Sequence, residues 1–202
     1  MKIFGVNKLC DASWLNLFQV TYRLEGRNPR SWTLATRRRI PRCASGQFEM
    51  PDGVIVAAFH RARRKLVVIR ECRVALAGFE YGFPAGLVDS GESIEEAARR
   101  ELMEETGLSV VSFLKTSPPL YSSAGMTDES VSMVYVDCDG EPSAESQEGS
   151  EQIEVMFVSS AEAGRLCTDP TLKFDARAWL VIERFAATGR LVGEAPSASA
   201  VR

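Results

Sequence analysis

The 202-residue sequence has one histidine, His60, and five cysteines, Cys10, Cys43, Cys72, Cys138 and Cys167. A single histidine excludes any metal cluster built on several imidazoles. An odd number of cysteines with no CxxC pair indicates neither a disulfide framework nor a zinc site. Reduced thiols in a cytoplasmic protein fit best. No run approaches the roughly 20 apolar residues that a membrane helix needs. The opening residues, MKIFGVNKLCD, lack the apolar core of a signal peptide, so none is expected. The net charge of −3 offers no broad basic face for nucleic acid or membrane lipid. No internal repeat is present.

What is there suits a core. An apolar content of 45% fits one domain, or one domain with an arm. With one histidine, acid–base work falls to carboxylates, lysine, tyrosine or metal-bound water. His60 is followed by Arg61, Arg63, Arg64 and Lys65 at the end of an apolar run. It reads as a surface residue where a strand gives way to a turn.

The most informative stretch is Gly86 to Leu108, GLVDSGESIEEAARRELMEETGL. Its second half reads as a helix. Ser93 caps it, Glu96 completes a capping box, and Gly107 ends it. Glu101 and Glu105 are four apart and share a face. At about 100° per residue, Ile94, Ala97 and Ala98 lie on the same arc. The face that should bury therefore carries two carboxylates, each costing several kcal/mol to desolvate alone. A hard divalent cation would remove that cost, since such ions prefer clustered carboxylate oxygens. The alternative is a solvated acidic helix held by i,i+4 pairs, Glu96 with Arg100 and Arg100 with Glu104. Those pairs sit on the flank and leave Glu101 and Glu105 on the apolar arc.

Along the chain, Ser13 to Leu24 and Ser31 to Ile40 read as two strands of a hairpin around the turn EGRNPR. In the first strand Leu15, Leu17 and Gln19 point one way, while Trp14, Phe18 and Val20 break strict alternation. A lone hairpin is marginal in water and must pack on its own domain or on a partner. Strands are expected at 54–60, 66–72, 110–114, 131–138 and 151–158. Helices are expected at 161–167 and 174–188, the second with Ala178, Leu180, Ile182 and Phe185 near one stripe. Strands on both sides of a central helix, with helices closing the chain, give an α/β fold with a mixed β-sheet layered between helices. We divide the chain into an arm (1–50), a main domain (51–192) and a disordered tail (193–202).

The central run resembles the Nudix box, G-x5-E-x7-R-E-U-x-E-E-x-G-U with U aliphatic. Every fixed position matches: Gly86, Glu92, Arg100, Glu101, Leu102, Glu104, Glu105, Gly107 and Leu108. The resemblance implies an α/β/α sandwich and a Mg2+-dependent hydrolase, with Mn2+ as substitute, that cleaves a diphosphate linked to a nucleoside. It implies Glu101 and Glu105 as metal ligands, Glu104 as auxiliary, and the carbonyl of Ala85 as another ligand. Gly86 and Gly91 serve the loop backbone, Arg100 orients the acids, and Glu92 is a structural member of the loop. A general base is expected from a later acidic loop, where Glu145, Glu148 and Glu151 are candidates. Glu151 is favoured by the family pattern and is a further candidate ligand.

Features outside the box resemble the ADP-ribose and ADP-sugar diphosphatase branch. Phe83-Pro84-Ala85-Gly86 resembles its lead-in, and Leu87 follows as a candidate contact. Arg73, thirteen residues before Gly86, matches a substrate-binding arginine. Trp14 and Trp32 are eighteen apart, with Arg37 five beyond, on a hairpin that resembles the branch's N-terminal arm. There the arm crosses to a second subunit, and two tryptophans from different chains sandwich adenine. Such stacking is worth about 1–3 kcal/mol per base. Two half-buried tryptophans filling an interface would look the same in sequence. One departure is clear. Ser123-Ala124-Gly125-Met126 stands where the branch often has Ser-Pro-Gly, in the loop that contacts the distal sugar. Ser123, Gly125 and Met126 remain candidates to line it. The expected substrate is ADP-ribose or a related ADP-sugar, split into AMP and a sugar phosphate by a homodimer. The alternatives are a GDP-mannose or UDP-glucose type substrate, or a module that senses a nucleotide without cleaving it.

Overall fold

The computed structural model describes residues 1–143 and 152–192. In order, the elements are β1 (Lys2–Asp11), β2 (Asn16–Arg23), β3 (Arg30–Thr36), α1 (Arg42–Ser45), β4 (Gly53–His60) and β5 (Lys65–Arg73). A 3-10 turn (Val74–Leu76), β6 (Gly78–Gly82), β7 (Ala85–Leu87), α2 (Ile94–Thr106) and β8 (Ser109–Thr116) follow. Then come β9 (Leu120–Tyr121), β10 (Ser130–Asp139), β11 (Ile153–Val158), α3 (Ser160–Thr168) and α4 (Ala176–Thr188). They form two compact units. One is Met1–Asp52 with Pro118–Ser132; the other is Gly53–Ser117 with the described residues from Met133 onward.

The first unit is built on an antiparallel sheet, β1-β2-β3. The expected hairpin is β2 and β3, with Val20 opposite Trp32 and Phe18 opposite Leu34. Asn16, Phe18 and Val20 form its buried face, and Leu17 and Gln19 turn outward. Strand β1 was not expected. Its register on β2 shifts twice, between Ile3 and Gly5 and between Lys8 and Cys10. Such irregularities break the period-two pattern by which a strand is read. The segment 118–132 is tied to β3, where the Ala35 amide donates to the Met126 carbonyl at 2.8 Å. Asp52 is the hub of this unit. It accepts from Arg38 at 3.0 Å and from the Ser130 amide at 2.9 Å, and pairs with Arg42 at 2.9 Å. Arg42 is fully buried, and its guanidinium also donates to the carbonyls of Gln47 and Met50. A buried cation is tolerable only with that degree of satisfaction.

The second unit is the expected sandwich. Its sheet runs β11-β5-β4-β10-β8, with β6 on β5 and β7 on β4. Strand β4, GVIVAAFH, is apolar throughout because both faces are covered. Val54, Val56 and Ala58 enter the core with Ala97, Ala98 and Leu102 of α2. Phe59 points the other way and meets Phe185 of α4, with ring centroids 6.1 Å apart. The sheet thus lies between α2 on one side and α4 on the other.

Three expectations are corrected. His60 is buried, not a surface residue, at 2% exposure. Its Nε2 lies 2.9 Å from the Gly140 carbonyl, its Nδ1 accepts from the Arg63 amide, and Phe157 meets the ring edge-on. Leu180 does not share the buried stripe of α4. Ala178, Ile182 and Phe185 are buried, and Leu180 is 62% exposed. Two residues beyond Ala178 is 200° around a helix. Glu96 does not pair with Arg100; it closes the capping box, accepting from the Ser93 amide and hydroxyl at 2.8 and 2.7 Å.

Candidate active site

Helix α2 begins where the sequence places it. The Ser93 hydroxyl accepts from the Glu96 amide while the Glu96 carboxylate reaches back to the cap, and those bonds hold the Glu96 carboxyl below its ordinary range. At the other end Gly107 has φ +74°, and a Cβ there would run into the backbone of Ser143. The Ser143 amide donates to the Thr106 carbonyl at 3.0 Å. Gly107 therefore both ends the helix and lets a second segment close on it.

Between these ends, Glu101 and Glu105 are buried at 8% and 6% exposure, alongside Ala97, Ala98 and Leu102. The two acids do lie on the apolar face. Glu101 presses on the backbone of Gly86, where any Cβ would overlap its carboxylate. Glu105 Oε1 accepts from the Ala85 amide at 3.4 Å. Strand β7, which carries Ala85 and Gly86, pairs with β4 at Ile55 and Val54. The lead-in backbone and both acids thus converge on one spot, held by the sheet.

Arg100 organises the surroundings. It donates two bonds to Glu92, at 3.0 and 2.9 Å, and one to Glu101 at 2.7 Å. It also reaches Glu104 at 3.2 Å and the Leu87 carbonyl at 2.8 Å. Its hydrogen bonds to Glu92, then those to Glu101 and Glu104, drive its pKa further above the ordinary guanidinium range. Glu92 is in turn held low, first by Arg100. The fork geometry explains the choice of arginine, which can bridge several acids in one plane. Arg100 fixes one side of Glu101, and Glu104 stays half-exposed on the same guanidinium.

This arrangement fits a hard divalent cation. Two buried carboxylates share one helix face, a cradle without a Cβ sits against them, and the donors are all oxygen. Glu101, Glu105 and the Ala85 carbonyl would hold it. Among the described residues no three His, Cys, Asp or Glu side chains form a complete cage. Glu145, Glu148 and Glu151 lie outside the described residues. Bound there, such an ion would neutralise phosphate charge and acidify a water molecule.

The remaining candidates fall into two groups. Leu87 and Arg73 belong to the same unit as the box. Arg73 lies at the end of β5, 2.7 Å from Glu71 and 3.6 Å from Glu80, which stands opposite Glu71 on β6. Trp14, Trp32, Arg37, Ser123, Gly125 and Met126 all belong to the other unit. Trp14 is 79% exposed and Trp32 48%. Arg37 pairs with Glu129, and the Ser123 carbonyl accepts from the amides of Met126 and Thr127 in a tight turn. Glu71, Glu80 and Glu129 went unread in the sequence. The two-residue spacing of Glu71 and Arg73 on one strand face was the available signal for the first. Nothing local links Glu129 to Arg37.

Comparison with known proteins agrees with this architecture. The model of the NUDIX domain matches residues 49–185. The chain belongs to the Nudix hydrolase family. A Caenorhabditis elegans protein that bears the family's name, nudix hydrolase 2, is 30% identical over 168 residues, 79% of this chain and 73% of its own. An ADP-ribose pyrophosphatase of Saccharomyces cerevisiae is 29% identical over 138 residues, 66% of this chain and 57% of its own. An ADP-sugar pyrophosphatase of Mus musculus is 26% identical over 134 residues, 66% of this chain and 59% of its own. The chain thus spans less than two thirds of the yeast and mouse proteins. Among the described residues no helix is long and apolar enough to cross a membrane.

Proposed function

We propose that this protein hydrolyses the diphosphate of ADP-ribose or a related ADP-sugar, releasing AMP and a sugar phosphate, with Mg2+ as cofactor and Mn2+ as substitute. The observation that carries this reading is the buried pair Glu101 and Glu105 against Gly86, oriented by Arg100. Two such acids are costly without a cation and well suited to one. The names of the yeast and mouse relatives support the substrate class. In this reading Ala85, Glu101 and Glu105 hold the metal with Glu104 as auxiliary, and a carboxylate of the acidic loop, Glu151 before Glu148, takes the proton from water. Arg73 binds phosphate. Trp14, Trp32 and Arg37 hold adenine across a homodimer, Leu87 is a further substrate contact, and Ser123, Gly125 and Met126 line the sugar end.

The test is incubation with ADP-ribose and Mg2+. Release of AMP, abolished by EDTA and restored by metal, is the expected result; intact ADP-ribose would refute the proposal. A second reading rests on Ala124. With the branch's proline replaced there, another nucleoside diphosphate sugar of the GDP-mannose or UDP-glucose type is the alternative. Ranking a substrate panel by kcat/KM decides between them, and the ADP-sugars should lead.

A further inference from the structure

The sheet of the second unit carries three charged side chains whose grouping stability alone does not explain. Glu71 of β5 and Glu80 of β6 stand directly opposite each other. Like charges so placed across an antiparallel pair destabilise it. Glu71 is also buried, at 9% exposure, which adds a desolvation cost. Arg73 answers both acids. Its Nη1 lies 2.7 Å from Glu71, and its Nε lies 3.6 Å from Glu80. The Arg73 side chain nevertheless stays 46% exposed. Ion pairs with so exposed a partner contribute little to folding. A guanidinium has five N–H donors, so donors remain for an oxyanion arriving from solvent.

The place of these residues suits such a ligand. The register of β5 on β6 and β11 is continuous, so Val67, Ile69, Glu71 and Arg73 alternate onto one face. Val67 of that row joins the core formed with α2. The face is therefore the one that Glu101 and Glu105 overlie. Strands β4 and β5 are antiparallel, so the end of β5 and the start of β4 lie at the same end of the sheet. There β7 sets Gly86 opposite Val54. Arg73 thus shares a face and an end of the sheet with the two acids of α2. An unbraced arginine carries about 2 kcal/mol of rotamer entropy. Carboxylates on two neighbouring strands fix the guanidinium before a ligand arrives, which cuts the ordering cost of binding.

We propose that Glu71, braced by Glu80, is the positioning residue for Arg73 and holds its guanidinium ready for the substrate's diphosphate. It rests on the proposed function, in which Arg73 binds phosphate, and it gives Glu71 and Glu80 no substrate contact of their own.

A binding cycle on the full chain tests this. ADP-ribose binding is measured by calorimetry in EDTA, so that turnover is not needed. Arg73→Ala should weaken binding at least about tenfold, the usual worth of a charge-assisted bond. Glu71→Ala should weaken it about three- to tenfold, a typical coupling between residues in contact. Glu80→Ala should weaken it less, because its oxygen stands farther from the guanidinium. Glu71→Gln keeps an acceptor for Arg73 and loses a charge that repels phosphate, so it should bind at least as tightly as the wild type. In the Arg73→Ala chain, Glu71→Ala should cost nothing further, since it acts only through the arginine. No loss from Glu71→Ala, or an equal loss in both backgrounds, would overturn the proposal. So would a loss in Glu71→Gln as large as in Glu71→Ala, or a wild type that does not bind ADP-ribose. With Mg2+ present, Glu71→Ala should raise KM and leave kcat unchanged. If the wild type binds ADP-ribose without cleaving it, the proposed function fails while the cycle still decides the role of Glu71.

Discussion

Gly86 shows how one hydrogen atom can decide a site. Its Cα faces the Glu101 carboxylate with no room for a methyl group. Gly86→Ala should displace Glu101 and cut kcat sharply, while overpacking costs about 1–3 kcal/mol of stability. Parallel measurement of kcat and of the urea midpoint checks this; unchanged kcat would show that Glu101 is free to move without consequence. The spacing of Glu101 and Glu105 was legible because helical periodicity fixes it. The partners of Arg100 were only half legible. Periodicity reaches Glu104, four residues on, but Glu92 lies eight residues back and is delivered by the loop. His60 was misread for the same reason. What buries it, Gly140 and Phe157, comes from residues far along the chain. His60→Ala should strand the Gly140 carbonyl and the Arg63 amide, costing about 1–3 kcal/mol by urea unfolding. A variant as stable as the parent would contradict the bonding described for the ring.

At the scale of elements, the two ends of α2 were the clearest text in the sequence, whereas the caps of α3 and α4 went unread. Ser93 with Glu96 repeats in Ser159 with Glu162, and both capping boxes form. Hydrogen bonds from the Ser159 hydroxyl, then its amide, and then Lys65 lower the Glu162 carboxyl from 4.5 to about 2. A carboxyl depressed on folding adds stability above its ordinary pKa and loses it as the pH falls through the folded value. Ser159→Ala, which removes the cap and its bonds to Glu162, should therefore lower the thermal midpoint near neutrality. The gap in thermal midpoint between variant and wild type should close as the pH drops from 4.5 towards 2. A gap that widened over that range would contradict the capping account. Strand β4 was equally plain, an unbroken apolar run that only a doubly covered strand can use. Strand β1 was not, because its two register shifts scatter the alternation.

For the whole molecule, the sandwich followed from the order of elements and from the box. The grouping of segment 118–132 with residues 1–52 did not, since it depends on partners distant in sequence: the Ser130 amide on Asp52, Asp128 on the Arg42 amide, and Glu129 on Arg37. If the N-terminal strands carry the shared adenine site, a chain lacking residues 1–40 should sediment as a monomer and bind nucleotide weakly. A truncated dimer with normal KM would refute the shared arm. The central claim is that two buried acids on one helix hold the ion that makes diphosphate cleavage possible. It is tested most directly by Glu105→Gln, which keeps the shape and removes the charge. Loss of even an outer partner of a metal ligand typically costs about 10–100-fold, so loss of a ligand should cost more. AMP release from ADP-ribose with Mg2+ should fall by more than about 100-fold while the thermal midpoint is kept or rises, because a buried charge has gone. Turnover equal to wild type would contradict the account.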